Sequence, residues 1–350
     1  MSLASVRYRG LIPAVAMRNR GWEVDVVAGN EETQRPDLAF AIKPLLHADA
    51  EWVRRQAEEG VPVIVDLCDN IFMPGYGVRD QSIAARFRRT VAFAAAITVP
   101  TSALADVLQT QVTIDMPPVF IVPDIVETSS ILRRERALVG VPNDGSVAIL
   151  RRLKAALLRI SWRRRSRAGA RILLWFGNHG APYANFGISD IGLFADALRA
   201  LGSEFPIELW VVSNSREKFE SLAVPIGIPC KYFEWDEDRV DALLPMVDIC
   251  IVPNSLDEFS RVKSANRALK ALTLGVPVVA TPTSAYERLG EALWLGDPLE
   301  GMRRYLSEPG LVGAHMANAR VAMESHFSIQ SLGRTLSDIA DRVVTRRSAR

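Results

Sequence analysis

The chain is poor in the residues that build disulfide scaffolds and metal clusters. Its 350 residues hold only three cysteines (Cys68, Cys230, Cys250) and four histidines. The cysteines are too widely spaced for a disulfide framework or a zinc site. Each lies in or beside an apolar run, where a thiol behaves as a small hydrophobe, and that usage fits a reducing compartment. No stretch approaches the roughly 20 apolar residues of a membrane-spanning helix. The opening Met-Ser-Leu-Ala-Ser-Val-Arg-Tyr-Arg lacks the apolar core of a secretory signal. These absences point to a cytoplasmic chain. Net charge is scarce too. A balance of +2 argues against a protein that seeks polyanions by its overall field, and no recognition-helix or stacking motif accompanies the basic residues, so no nucleic-acid partner is expected.

What is present describes a folded chain of two domains. Hydrophobic residues make up 49% and charged ones 23%, which excludes wholesale disorder, and the length exceeds what one core usually organises. Short β-branched runs alternate with helical patterns in both halves, the signature of parallel sheets covered by helices. In the first half, strands are expected at Glu23–Ala28, Leu38–Ala41, Val61–Leu67, Ala96–Val99 and Val119–Val122. Helices are expected at Leu11–Asn19, Ala48–Glu59, Asp80–Ala95 and from Ser102, with Ser102 as N-cap. The second half restarts at Arg171–Phe176 and continues with strands Ile207–Val212, Lys231–Phe233, Ile249–Val252 and Pro277–Ala280. Its helices fall at Ile188–Leu201, Ser215–Leu222, Arg239–Leu244 and Ala265–Thr273. The fold class is α/β, with two Rossmann-like domains facing a cleft. The expected divisions are 1–130, a linker over 131–170, a second domain over 171–327 and a C-terminal helix with a basic tail over 328–350.

The first domain lacks the apolar strand that normally opens such a fold. The chain begins in what reads as the following loop, with Arg7, Tyr8 and Arg9. A central strand is hard to lose because its neighbours would expose unpaired edges, so a start upstream of Met1 is expected rather than a deletion.

The average charge conceals a local block. Between Arg133 and Arg171 lie twelve Arg or Lys against Glu135 and Asp144, +10 over 39 residues, which leaves −8 for the other 311. Within it, Ile149, Leu150, Leu153, Leu157 and Ile160 recur at helical spacing among Arg151, Arg152, Lys154 and Arg159, followed by Trp162 and Arg163–Arg165. A basic amphipathic segment over 149–167 has the make-up of one that lies on an anionic membrane surface. A solvated linker whose apolar side packs on a domain is the competing reading.

Ligands of open α/β sheets bind beyond the carboxyl ends of the strands, so residues just after each strand carry most weight. Gly177-Asn178-His179-Gly180 follows the first strand of the second half; glycines there let backbone N–H groups approach an anion. His179 has no partner identifiable in the sequence. The segment from Pro253 to Pro282 is the most informative. Ala265, Ala268, Leu269 and Leu272 form a packed stripe, while Lys263, Arg267 and Lys270 fall on another side with Asn266 beside them. Gly275 ends this helix. A helix N-terminus with cations in its first turns suits a diphosphate.

Lys263-Ser-Ala-Asn-Arg267, followed by Leu272-Thr-Leu-Gly-Val-Pro-Val-Val-Ala-Thr281, resembles the donor-binding region of GT-B glycosyltransferases of the family-4-like group (glycosyl transferases group 1). Ile172-Leu-Leu-Trp-Phe-Gly177, Tyr232-Phe-Glu-Trp235, Leu243–Asp248 and Ile249-Cys-Ile-Val-Pro253 fit the next elements of that family in order. In the first half, Ser5-Val-Arg-Tyr-Arg9, Val65-Asp-Leu-Cys-Asp-Asn70, Ile97-Thr-Val-Pro-Thr-Ser102 and Val119-Phe-Ile-Val-Pro-Asp124 fall at its acceptor-domain strand ends. The resemblance covers nearly the whole chain.

It implies a retaining transfer of a sugar from a nucleotide-diphosphate donor to a glycan or lipid-linked acceptor, without a metal or other cofactor. Protein cations would stabilise the leaving diphosphate. Gly177, Asn178, Ser213, Asn214, Trp235, Asp257, Glu258, Lys263, Asn266, Arg267 and Lys270 are the expected donor-binding residues. Arg7, Tyr8, Arg9 and Ser102 are expected on the acceptor side. Asp66, Asp69, Lys263 and Arg267 are expected to carry the chemistry. Two departures stand out. The family's acidic pair, eight positions apart, is replaced by Val262 and Lys270, and the usual Lys-Gly has Phe186-Gly187 as its nearest counterpart. The same features therefore also fit a catalytically inactive nucleotide-sugar binder or partner subunit. A nucleotide-sugar 2-epimerase fits less well, because His47, His315 and His326 lie on helical segments with no evident pairing. An acceptor carried by a lipid would place the protein peripherally on the inner face of a membrane.

Overall fold

The computed structural model describes residues 4–27, 35–76, 80, 82–113, 115–127, 169–180 and 186–348. It comprises two compact units. The first takes in the described residues up to 127, together with Val262–Ser264 and the chain from Glu324; the second takes in 169–261 and Ala265–Met323. Most of the basic block, including 149–167, lies outside the described residues.

The first unit holds a parallel sheet of β1 (Ala39–Ile42), β2 (Val63–Asp66), β3 (Ala96–Val99) and β4 (Val119–Ile121), in that spatial order. Among the described residues each connection steps the same way across the sheet, without a reversal of direction. Period-two alternation sends Val63 and Val65 to one face and Ile64 to the other. The Val63 face packs on α2 (His47–Glu58), α3 (Ile83–Val91) and α4 (Ser102–Gln111), through Val53, Phe87, Leu104 and Leu108 among others. The Ile64 face packs on α1 (Ile12–Arg18) and the C-terminal helix α11 (Ile329–Ser348), through Ile12, Ala16, Leu336 and Ala340. The two helices touch where Gly333 meets α1: a Cβ at Gly333 would stand 2.8 Å from the Ala16 carbonyl oxygen. Only glycine permits that approach.

The strand expected at Glu23–Ala28 does not form over its described residues, 23–27. Residues 22–27 have no ladder partner, Val26 and Val27 are exposed, and the Val24 carbonyl instead accepts a hydrogen bond from the Arg18 guanidinium (2.9 Å). Alternating valines need a neighbouring strand to become one. Helix α3 is also shorter than the Asp80–Ala95 pattern, and Thr101 rather than Ser102 caps α4, accepting the Leu104 N–H at 3.3 Å. Preceding α1, Arg7–Leu11 form a π-helical segment.

The second unit has five parallel strands, β5 (Arg171–Phe176), β6 (Ile207–Ser213), β7 (Cys230–Glu234), β8 (Ile249–Val252) and β9 (Val278–Ala280), in the order β7-β6-β5-β8-β9. The chain runs outward from β5 through β6 to β7, then returns to the other side of β5 for β8. That reversal makes β5 and β8 the topological switch point of a doubly wound sheet. Positions 172–176 are all buried, as a strand covered on both faces requires. Helices α5 (Ala195–Glu204), α6 (Arg216–Leu222), α7 (Glu237–Leu243), α8 (Asn266–Thr273), α9 (Pro298–Ser307) and α10 (Pro309–His326) complete the unit. The expected helix Ile188–Leu201 splits into tight turns over Gly187–Phe194 followed by α5. Helix α8 buries Ala265, Ala268, Leu269 and Leu272 and ends at Gly275, whose φ of 78° lies in the left-handed region, as its apolar spacing predicts.

Among the described residues, no helix is long and apolar enough to cross a membrane. The three cysteines are free: Cys250 is buried, while Cys68 and Cys230 are half-buried. His315 does have a partner, the Tyr305 hydroxyl, 2.7 Å from its Nδ1.

Candidate functional site

At the carboxyl ends of the first unit's strands, charges are matched internally. Arg9 projects from the π segment into the sheet end. Its Nε–H donates to both oxygens of Asp66 at 3.1 Å, and its Nη2 donates to Asp66 at 2.6 Å. Its Nη1 donates to the Val122 carbonyl at 2.7 Å and to Asp124 at 2.9 Å. The Thr98 hydroxyl gives Asp66 a further hydrogen bond at 2.7 Å. All of these groups are buried. Burial disfavours a charged Arg9, but Asp66 and Asp124 more than offset it and hold the guanidinium protonated. Asp66 and Arg9, read from the sequence as a candidate catalytic acid and an acceptor contact, are thus each other's partners. Arg7 pairs with Glu127 at 2.8 Å, and Tyr8 also reaches Glu127 (3.4 Å). Ser102 stands in the first turn of α4.

A second charge cluster lies beside the first. Asp69 accepts from Lys43 on one oxygen and from Lys263 on the other; Lys263 belongs to the short segment that packs with the first unit. Burial would push the Asp69 carboxyl up, yet the two lysines overcome it and hold it at about 2. Cys68 is pushed up to about 12, by burial first and by Asp69 and Asp66 next. Lys43, at the end of β1, was not anticipated. It is the described non-glycine residue with a positive φ, 50°.

The second unit's strand ends are built differently. After β5, Gly180 and Gly187 bring two backbone segments together. A Cβ at Gly187 would fall 2.3 Å from the Asn178 carbonyl oxygen, and one at Gly180 would fall 2.5 Å from the Phe186 carbonyl oxygen, each glycine having a positive φ (87° and 99°). Asn178 accepts the Gly180 N–H at 3.0 Å, Asn214 accepts the His179 N–H at 2.8 Å, and the Lys218 ammonium donates to the His179 carbonyl at 3.0 Å. Asn178 and Asn214 thus shape the turn.

Arg267, in the first turn of α8, lies beside this turn. Its guanidinium donates to the Asn254 side chain and lies over the Trp175 ring, 5.9 Å from the centroid. Gly177 accommodates that ring: a Cβ there would be 3.0 Å from the edge of Trp175. Asn254 is fixed in turn by its N–H, which bonds Thr281 Oγ1 at 3.1 Å. Among the described residues Arg267 makes no ion pair within 4 Å. Asp190, missed in the sequence, accepts the N–H of Gly187 and the N–H of Ser255, both at 3.1 Å. Burial pushes Asp190 up to about 6, against the pull of Arg267 and of those two N–H groups. Its signal was a lone acid inside the apolar run Ile188–Phe194, three residues after a glycine.

The remaining expected residues are scattered by the fold. The cations of the Lys263, Arg267, Lys270 stripe go to three different partners: Asp69, Asn254 and Asp241 (2.7 Å from Lys270). Asp257 accepts the N–H groups of Phe259 (3.0 Å) and Ser260 (2.7 Å), while Glu258 is exposed. Trp235 is exposed beyond β7. The Ser213 hydroxyl is buried at the end of β6 without a hydrogen-bond partner among the described residues. Asn266 begins α8. Among the described residues no group of three His, Cys, Asp or Glu side chains is arranged to hold a metal ion.

No protein-family model matches the sequence, and no curated protein matches it either. Solved structures do match. α,α-Trehalose-6-phosphate synthase from Burkholderia multivorans is similar over 87% of this chain and 70% of its own, with a TM-score of 0.61 at 13% identity. A glycosyltransferase from Rickettsia africae is similar over 98% of this chain and 84% of its own (TM-score 0.56, 13% identity). Alr3699/HepE from Anabaena, solved in complex with UDP-glucose, is similar over 87% and 79% (TM-score 0.54, 13% identity). The chain has the GT-B fold, two Rossmann-like domains, as its sequence motifs implied.

Proposed function

We propose that this chain is a glycosyltransferase of the family-4-like type, moving a hexosyl group from a nucleoside-diphosphate donor with retention of configuration. The observation that carries this reading is Arg267. It is a cation at the switch point of the doubly wound sheet, beside a glycine-bracketed turn, and its strongest contact is to a neutral amide rather than a carboxylate. Among the described residues no carboxylate stands within ion-pair distance of it, so an arriving anion has no direct ion pair to break. We assign the leaving diphosphate to Arg267, beside the glycine-bracketed turn over 177–180, without a metal, with Ser213 and Trp235 on the nucleoside side. Lys263 and Asp69 are assigned to the acceptor side of the reaction, where Asp69 stays ionised. The acceptor in this reading is a glycan or a lipid-linked molecule; the basic amphipathic sequence over 149–167 supports the lipid-linked form, since it would hold the protein against the cytoplasmic face of a membrane.

Thermal shift with UDP-, GDP- and ADP-glucose tests the donor assignment. One nucleotide series should raise the melting temperature, and Arg267→Ala should weaken its binding about 10- to 100-fold, the loss of about 1.5–3 kcal/mol from a charged hydrogen bond. No shift with any donor, or unchanged affinity in the variant, contradicts it. A binder without turnover is favoured by one observation: Val262 and Lys270, at the acidic-pair positions, are respectively buried in the first unit's core and paired with Asp241. Slow donor hydrolysis without acceptor distinguishes the enzyme from the binder.

A further inference from the structure

We propose that Asp190 is a positioning residue that ties the turn at Gly187 to the turn at Ser255, so that the backbone flanking the ends of β5 and β8 forms one ligand-holding surface. The two N–H groups it accepts belong to different connections of the sheet, one after β5 and one after β8. Each tie reaches a ligand-facing group. Gly187 abuts the Asn178 carbonyl and the Gly180 N–H of the glycine-bracketed turn, while Ser255 follows Asn254, which holds Arg267. Loss of the carboxylate therefore releases both sides of the switch point together.

The charges around Asp190 make the tie responsive to acid. Burial, helped by Asp257 from the β8 connection, disfavours its ionised form and outweighs Arg267 of α8 and the two N–H groups, which favour it, leaving it at about 6. A protonated carboxyl keeps one good acceptor oxygen and gains an O–H donor, so both N–H groups lose a charged partner and one of them loses its good acceptor. The tie is complete above pH 6 and weakened below it.

The nature of the ligand rests on the glycosyltransferase reading, but the tie itself does not, and two readouts separate them. Amide hydrogen exchange on the full chain without ligand, corrected for intrinsic rates, should show Gly187 and Ser255 opening together as pH falls from 7.5 to 5. Asp190→Asn should raise exchange at both sites about tenfold at pH 7.5 and abolish that pH dependence, and Asp190→Glu should restore part of the protection. Calorimetry with UDP, GDP and ADP should show affinity for one of them falling at least fivefold in Asp190→Asn, with the wild-type pH profile flattened. Exchange that changes at one turn only, or at neither, overturns the proposal, and the pH series on the wild type decides this even if a variant fails to fold. Coupled exchange with no binding of any of the three nucleotides by the wild type upholds the tie and overturns the glycosyltransferase reading instead.

Discussion

Asp69 in the first unit and Asp190 in the second are both largely buried carboxylates near the carboxyl ends of parallel strands, yet they are held in opposite ways. Two lysines hold Asp69 at about 2, whereas burial lifts Asp190 to about 6. The arginines differ in the same sense. Arg9 donates to two carboxylates and a carbonyl, while Arg267 donates to an amide and stacks near Trp175. Burying a charge is tolerable only when a partner compensates it, so the first unit's charges are structural fixtures. Among the described residues the second unit has a cation without an opposing carboxylate within ion-pair distance, and that suits an incoming anion. Sheet topology parallels the difference. Among the described residues the first unit's strands follow one direction, β1 to β4, and the second unit has the kind of reversal at which ligands of open α/β sheets bind.

The comparison breaks most visibly at Arg9. Arg9→Ala strands Asp66 and Asp124 as buried uncompensated charges and should cost about 3–5 kcal/mol in urea unfolding. Arg267→Ala should leave stability within about 1 kcal/mol, since its site is half-open and carries no ion pair. Equal losses in the two variants would erase the distinction.

Acid unfolding sharpens it further. Asp69 has a depressed pKa, so its stabilisation is present above the usual carboxylate range and is lost as pH falls towards about 2; Asp69→Asn should remove about 2 kcal/mol at pH 7 and flatten the acid limb. Asp190 has the reverse sign. Against global unfolding, burying the ionised carboxyl costs more than its two N–H bonds return, so its stabilisation is present below the usual carboxylate range and is lost as pH rises through about 6 even though the local tie is tighter there; Asp190→Asn should lessen the fall in stability between pH 4 and 7. Urea midpoints measured at half-unit pH steps check both slopes.

Much of this architecture is legible in the residues, and for physical reasons. The runs Ala96–Val99, Arg171–Phe176 and Ile249–Val252 coincide with observed strands because a strand buried on both faces must be apolar throughout. Glu23–Ala28 has the right alternation but no neighbour to pair with, and a pattern cannot supply a neighbour. The α8 stripe was readable from its period, and so was Arg267 as a candidate anion contact. Local spacing could not reveal that Lys263 turns to Asp69, nor that Arg9 spans to Asp124, because those pairings join residues 194 and 115 positions apart. Asp190 was hidden for a different reason: its partners are backbone N–H groups, which every residue but proline carries.

The account turns on which strand ends receive the diphosphate, and a hydrogen-exchange footprint of UDP, GDP and ADP on the full chain measures that directly. Protection by one of these nucleotides should appear at 177–180, 187–190, 254–255 and around Arg267, with 66–69, 98–101 and 122–124 unchanged. Protection confined to the first unit's strand ends, or absent with all three nucleotides, would contradict it.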